Sequence, residues 1–370
     1  MFFEEYLGQT ALFTVGEEAR NVTYLTRVDP FSGNVSKISA ERARRNIGIS
    51  VELQIIPVEN CVFCTFKEHT PKERIEHDCG AISVPNKYPW EKYDWITIYP
   101  PFNNHKLLLS ELNQDDLERM IESSYDLAAI CVHDTEVISF IDFTNWGAFA
   151  GASQQHPHSQ RKSATRVPNP CIQNEIDRCH HLMEQHGQNP FAVLEQEERV
   201  DGRRIIHDDG IFIVSMFAPT CPDEILVFPC EDIAHILQTT DYERKKISQS
   251  IQNIFRALLF CRGVTNLNIA FHMSNFTEMD QARNYYRWHM HIYPRRSRLP
   301  VDRAGSEIGF STQVIDVLPE VTAELLRRWY KEGPSLELVA KNNDGTANSG
   351  LLAEFNKVVD PIVALPSYKD

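Results

Sequence analysis

The amino-acid sequence predicts an α+β fold made of two similar halves, each an antiparallel sheet with packed helices. Three observations carry that prediction. Residues 94–131, "DWITIYPPFNNHKLLLSELNQDDLERMIESSYDLAAIC", read as an apolar and aromatic strand, a proline-bearing turn, a short strand, and a helix of period near 3.6 opening at Asn113 or Asp115. Residues 210–260, "GIFIVSMFAPTCPDEILVFPCEDIAHILQTTDYERKKISQSIQNIFRALLF", repeat the same grammar. After each helix comes another strand, "VISFIDF" (137–143) or "LNIAFHM" (267–273), then a polar loop and a segment with two histidines one residue apart. The halves are expected to span residues 1–190 and 191–370, joined by the polar stretch about 186–203, "HGQNPFAVLEQEERVDGR".

Composition narrows the function. The chain has 370 residues, 42% apolar and 24% charged, which suits a soluble globular protein of one large or two smaller domains. The opening "MFFEEYLGQTALFTVGEEAR" is acidic where a signal peptide would be basic, and no apolar run approaches the ~18 residues that span a bilayer. A cytoplasmic protein without membrane partners is expected. In that compartment nine cysteines are free thiols or metal ligands rather than disulfides. With 37 basic and 51 acidic residues the net charge is −14, which argues against nucleic-acid partners, since these need basic patches on phosphates. A phosphate-bearing ligand would be small and held locally.

In an extended strand, residues i and i+2 share a face, so His156-Pro157-His158 and His289-Met290-His291 would each bring two imidazoles into one space. That geometry suits a metal site, a nucleophile beside a ligand, or simple packing. Cys61-Val-Phe-Cys64 alone fits a redox motif, a structural pair or a metal knuckle. Zinc takes four ligands from sulfur and imidazole. Cys61, Cys64, His105 and His156 would close such a structural site and pin the loop that carries His158. His69, His77 and Cys79, close to Cys64 in sequence, compete as ligands.

The stretch "FTNWGAFAGASQQHPHSQ" (143–160) resembles the F-E-N-x-G-A-x-x-G-x-S-x-x-H-P-H-x-Q signature of the galactose-1-phosphate uridylyltransferase branch of the histidine-triad superfamily. Phe143, Asn145, Gly147, Ala148, Gly151, Ser153, His156, Pro157, His158 and Gln160 fall in register. "RVDPFSGNVSKISAERARR" (27–45) resembles the family's early R-x-N-P segment, "RWHMHIYPRRS" (287–297) its closing strand, and "SEIGFSTQ" (306–313) its hexose-contacting segment. The Cys pair, "NNHKLLLSEL" and "CPDEILVFP" (221–229) resemble further landmarks.

This resemblance implies two tandem histidine-triad-like halves forming a half-barrel sheet, a structural zinc, and a homodimer whose second chain lines the sugar site. It implies an enzyme that moves a nucleoside monophosphate, with UMP expected, between a nucleotide sugar and a hexose 1-phosphate by double displacement. His158 would attack the α-phosphorus, Gln160 would bind phosphoryl oxygens, and the Ser159 backbone amide would add a donor. Arg27, Asn145 and Ser153 would contact substrate, and Glu307 and Gln313 would hold sugar hydroxyls. A second zinc or iron would sit on His272, His289 and His291 with a carboxylate; counting from Gln160 places Asn174 there, and Glu175 is the nearest acid. A related phosphorylase would use inorganic phosphate as acceptor, with an ADP- or GDP-type nucleotide sugar or a dinucleoside polyphosphate as donor. A non-catalytic nucleotide-binding protein is the third class. Two departures stand out: Thr144 replaces the Glu of F-E-N, and Arg161-Lys162 replace apolar residues. These would be an outer-face residue and a solvated rim, or altered phosphate contacts. The tail after about 335 extends past the matching part, with one more helix expected over Leu351–Val359.

Overall fold

The structure is a computed structural model. It describes residues 3–12, 20–38, 57–70, 73–86, 89, 91–102, 105–106, 108–165, 167–295, 305–342, 344–353 and 356–357. The R-A-x-R end of the early segment, residues 42–45, lies outside them. So does the tail helix beyond 357, although 349–353 are helical.

The chain is α+β. A ten-stranded antiparallel sheet contains β4 (Ile75–Glu76), β5 (Ile82–Pro85), β6 (Asp94–Ile98), β7 (Val137–Trp146), β8 (His158–Thr165), β9 (Ile205–Asp208), β10 (Ile211–Ser215), β11 (Ile225–Pro229), β12 (Asn266–His272) and β13 (His289–Arg295). Their order is β4-β5-β6-β8-β7-β12-β13-β11-β10-β9, and the described strands do not close into a barrel. The β7·β12 pair at its middle sets Asn145 opposite Asn268 and Phe143 opposite Ala270. A smaller sheet, in the order β1 (Glu4–Leu12), β2 (Arg20–Val28), β3 (Val35–Ile38), β14 (Thr312–Ile315), is antiparallel except for the parallel β3·β14 pair.

The helices are α1 (Phe66–His69), α2 (Gln114–Cys131), α3 (Pro170–His186), α4 (Pro190–Asp201), α5 (Asp241–Arg262), α6 (Met279–Ala282), α7 (Gly305–Phe310) and α8 (Pro319–Glu332). Helix α2 starts at a capping box: the Asp116 amide donates to Asn113 Oδ1, and the Asn113 amide returns a bond to Asp116. Thr240 and Glu243 do the same for α5. Both helices pack an apolar stripe on one face of the large sheet, in a core with Phe140, Ile213, Val227 and Ile269. On the other face α3 and α4 bury Ile172, Ile176, Phe191 and Leu194 against Phe212, Val214, Leu226 and Phe228. Strands β10 and β11 are buried along their whole length and apolar except for Ser215, because both of their faces are covered.

Two local expectations change. The polar stretch about 186–203 is mostly α4, because Pro190 sits at an Asn189-capped N-terminus and Phe191 and Leu194 reach the core. The short strand expected after the turn at 100–105 is instead a 3₁₀ turn at Leu109–Glu111. Among the described residues, no helix is long and apolar enough to cross a membrane.

Candidate active site and metal clusters

Strand β8 begins at His158, whose Cα faces Ile98 of β6, and its neighbours in the sheet are β6 and β7. The two glycines before it shape the approach. Gly147 adopts φ 83°, ψ 158°, and Gly151 is left-handed at φ 83°, ψ 16°. A 3₁₀ turn, Ala148–Ala150, lies between them.

The His158 imidazole is buried, and its Nδ1–H donates to the carbonyl of His156 at 2.8 Å. That bond fixes the tautomer and leaves the Nε2 lone pair uncommitted. Burial lowers the His158 pKa from its ordinary value, so the ring is neutral at pH 7. Gln160 follows two residues on, on the same strand face, and its amide makes no hydrogen bond to another described residue. The Ser159 hydroxyl sits on the opposite face, accepting from Tyr99 at 2.7 Å and bonding Thr144 at 2.5 Å. An open-sided cavity of about 450 Å³ reaches His158, with Lys106, Asp116, Met120, Thr144 and Trp146 in its wall. Thr144 is therefore buried in a hydroxyl chain and does not lie on an outer face.

Arg161 and Lys162 likewise form no solvated rim. Both are almost fully buried. Arg161 pairs with Asp142 across β7 at 3.1 Å, and Lys162 pairs with Asp94 across β6. Because β8 is an interior strand, its charges must be neutralised by the facing strands.

Cys61, Cys64, His105 and His156 present ligand atoms that all lie within 4.8 Å of one another. Cys64 Sγ is 3.3 Å from His156 Nδ1, while His156 Nε2–H donates to the Tyr99 carbonyl at 2.7 Å. His105 Nε2 is buried without a hydrogen-bond partner. Burial, reinforced by Cys61, pushes the Cys64 thiol up to about 12, and burial drops His156 to about 4. Two adjacent thiols and an orphaned imidazole nitrogen fit a bound zinc, which would stabilise the thiolates. Between the cysteines, the Phe63 ring packs on His158 at a centroid distance of 5.1 Å. The competing residues are engaged elsewhere: His77 bonds Asp126 and Ser83, both at 2.8 Å, Cys79 lies by the Arg119 carbonyl, and His69 is exposed.

Glu175, His272, His289 and His291 form a second such cluster, all buried. Glu175 accepts the Nδ1–H of His272 at 2.9 and 3.0 Å and the Tyr286 hydroxyl at 3.2 Å, and it lies 3.5 Å from His289 Nε2. Nδ1 of His289 donates to the Arg287 carbonyl and Nδ1 of His291 to Glu224, at 2.8 and 2.9 Å. Both Nε2 atoms remain for a cation. Imidazole with carboxylate suits zinc or ferrous iron. Asn174, the position reached by counting, instead donates to the Ser32 carbonyl from the exposed side of α3, and the next residue turns inward.

The remaining site residues are spread wider. Arg27 is buried over the Phe217 ring, with its guanidinium engaged by Glu5 at 2.6 Å and Glu320 at 2.7 Å. It lines neither cavity. Asn145 Oδ1 accepts from Asn268 at 2.7 Å, and Ser153 is exposed. Glu307 lies on α7, and Gln313 is buried on β14 opposite Ser36. Sequence reasoning assigned no role to Phe63, Tyr99 or Glu224. The one signal in the sequence was Glu224, an acid next to Asp223 directly before an apolar strand.

No family model matches the chain. It is 25% identical over 226 residues to an ADP-glucose phosphorylase of Arabidopsis thaliana, covering 60% of this chain and 61% of that protein. It is 25% identical over 193 residues to a galactose-1-phosphate uridylyltransferase of Neurospora crassa, covering 50% and 48%. The chain thus spans about half to three-fifths of the length of these curated relatives. A crystal structure of an Arabidopsis thaliana ADP-glucose phosphorylase with bound ADP-glucose superposes with a TM-score of 0.68 at 21% identity, covering 82% of this chain and 98% of that one. In sequence the chain is similar to galactose-1-phosphate uridylyltransferases and ADP-glucose phosphorylases, and it shares the fold of the latter.

Proposed function

We propose that this chain is a nucleotidyltransferase that works through a nucleotidyl-His158 intermediate. The buried, tautomerically fixed imidazole of His158 beside the unengaged Gln160 amide carries this reading. The His158 Nε2 lone pair forms a bond to the α-phosphorus of a nucleotide sugar, and the bond from that phosphorus to the bridging oxygen breaks, releasing sugar 1-phosphate. An acceptor phosphate oxygen then attacks, the N–P bond breaks, and neutral imidazole returns. Gln160 donates to the phosphoryl oxygens as charge builds on them. Uridine is the base favoured by the resemblance, with Asn145 and Ser153 toward the phosphates and Glu307 and Gln313 toward the sugar. Zinc on Cys61, Cys64, His105 and His156 braces the loop, and a second zinc or iron on the other cluster ties α3 to β12 and β13. The halves, 1–190 and 191–370, meet at the β7·β12 pair. A homodimer is supported by Phe310, which is 82% exposed within the segment that resembles the hexose-contacting one, with Tyr6 and Leu7 exposed on β1.

The similarity to ADP-glucose phosphorylases supports a second reading, with inorganic phosphate as acceptor and an adenine nucleotide sugar as donor. The two are separated by incubating the protein with UDP-glucose or ADP-glucose and offering galactose 1-phosphate or phosphate. A new nucleotide sugar supports the first reading; nucleoside diphosphate formed from phosphate supports the second. An absence of turnover with both acceptors, for both donors, would overturn the two readings together.

A further inference from the structure

The second cluster opens onto a cavity of about 470 Å³ whose wall also includes Asp29, Ser32 and Asn34 of the loop between β2 and β3. Three buried carboxylates, Asp29, Glu175 and Glu224, line this space with three histidines, and among the described lining residues there is no lysine or arginine. Two of the acids are accounted for, Glu175 by His272 and Glu224 by His291. Asp29 is different. Its Oδ2 is pinned by the Ser32 amide at 2.6 Å and the Ser32 hydroxyl at 2.5 Å, which orients the group and leaves Oδ1 buried with no partner. The residue is 2% exposed. Glu175 and His291 are close enough to act on its charge. A buried carboxylate oxygen without a donor carries a desolvation cost that a cation or a cation-bound water would relieve.

We infer that Asp29 is an outer carboxylate of the second metal centre, its Oδ1 accepting from a water bound to the metal. This rests on reading the second cluster as a metal centre. Asp29 strengthens cation binding by charge and by orienting that water, in the way carboxylates behind first ligands do, and it ties the β2–β3 loop to the cluster. The R-x-N-P motif that this segment resembles has Asn at the position, so the added charge belongs to this chain's own sequence.

Cobalt(II) titration of the metal-stripped full-length protein tests this. Metal on Cys61 and Cys64 gives thiolate charge-transfer absorption in the near ultraviolet, whereas metal on the histidine and carboxylate cluster gives only weak visible bands, so the two sites are read apart. Asp29→Asn keeps the oxygen that accepts from Ser32 and removes the charge. The expected result is a 10- to 100-fold weaker cobalt affinity at the thiolate-free site, with the thiolate site unchanged. Ser32→Ala, which removes a hydroxyl bond and keeps the charge, is expected to stay within about 3-fold of wild type. Equal affinity in Asp29→Asn and wild type would overturn the inference, as would a loss in Ser32→Ala as large as that in Asp29→Asn, which would assign the effect to turn geometry. A wild-type protein that takes up cobalt only at the thiolate site would instead sink the metal reading of the second cluster itself.

Discussion

Gly147 and Gly151 share a φ of 83° yet predict very different mutational costs. At Gly147, ψ of 158° falls in a region that is essentially glycine-only, worth about 1–3 kcal/mol to any other residue. A Cβ there would also lie 2.0 Å from Asn266 Oδ1 and 2.6 Å from its Cγ. Asn266 must then move, losing the bond that its Oδ1 accepts from the Phe149 amide at 3.2 Å, and overpacking of this kind costs about 1–3 kcal/mol more. Gly147→Ala should therefore lose about 2–6 kcal/mol. Gly151 is in the ordinary left-handed region, and a methyl added to it would meet nothing within 4 Å, so Gly151→Ala should lose about 1–2 kcal/mol. At about 2.1 cal/mol/K per residue over 370 residues, unfolding entropy is about 0.8 kcal/mol/K, which makes the expected Tm losses roughly 3–8 °C and 1–3 °C. Urea unfolding followed by circular dichroism measures both. Equal losses in the two variants would refute the reasoning, because the backbone angle φ alone would then govern.

Three further predictions concern buried charge, protonation and metal. Arg161→Met strands Asp142 in the core and should cost about 3–5 kcal/mol, and adding Asp142→Leu should recover much of it; urea midpoints of both variants check this. His235 is wholly buried, accepts the Leu237 amide at Nδ1, and has its pKa dropped to about 3 by burial. The unfolded chain binds a proton near pH 6.5 and the folded chain does not, so this stability is full above 6.5 and is lost as pH falls toward 3; about 2 kcal/mol should be gone at pH 5. His235→Gln should show that much less difference in unfolding free energy between pH 7.5 and pH 5. Cys61→Ser should lower the zinc content by one equivalent per chain, by elemental analysis, and should slow turnover by loosening Phe63 from His158.

The parts of the fold legible in the sequence were those with local causes. Helix α2 followed from its period and its opening near Asn113, α5 from the repeat of the same pattern, and the strands at 137 and 267 from apolar patterning. Cys61, Cys64, His105 and His156 were nameable as a group because zinc draws its ligands from a short list of residue types, whereas His272, His289 and His291 were named through the family resemblance, which left their carboxylate open; both groups do come together. Strand partnership was less visible. Arg161 and Lys162 look like surface residues until β6 and β7 bring Asp94 and Asp142 opposite them. Thr144 looks exposed until Tyr99 and Ser159 complete its hydroxyl chain. Asn174 and Glu175 differ by one residue in sequence but by about 100° around a helix, so a count could not choose between them.

The most direct test of the central claim is covalent. Wild-type protein and His158→Ala are incubated without acceptor with nucleotide sugars radiolabelled in the α-phosphate, one base at a time, and the protein is assayed for acid-labile label. The account predicts label on wild type alone, released on adding an acceptor, with the responding base naming the donor. Equal label on His158→Ala, or none on wild type with any base tested, would contradict it.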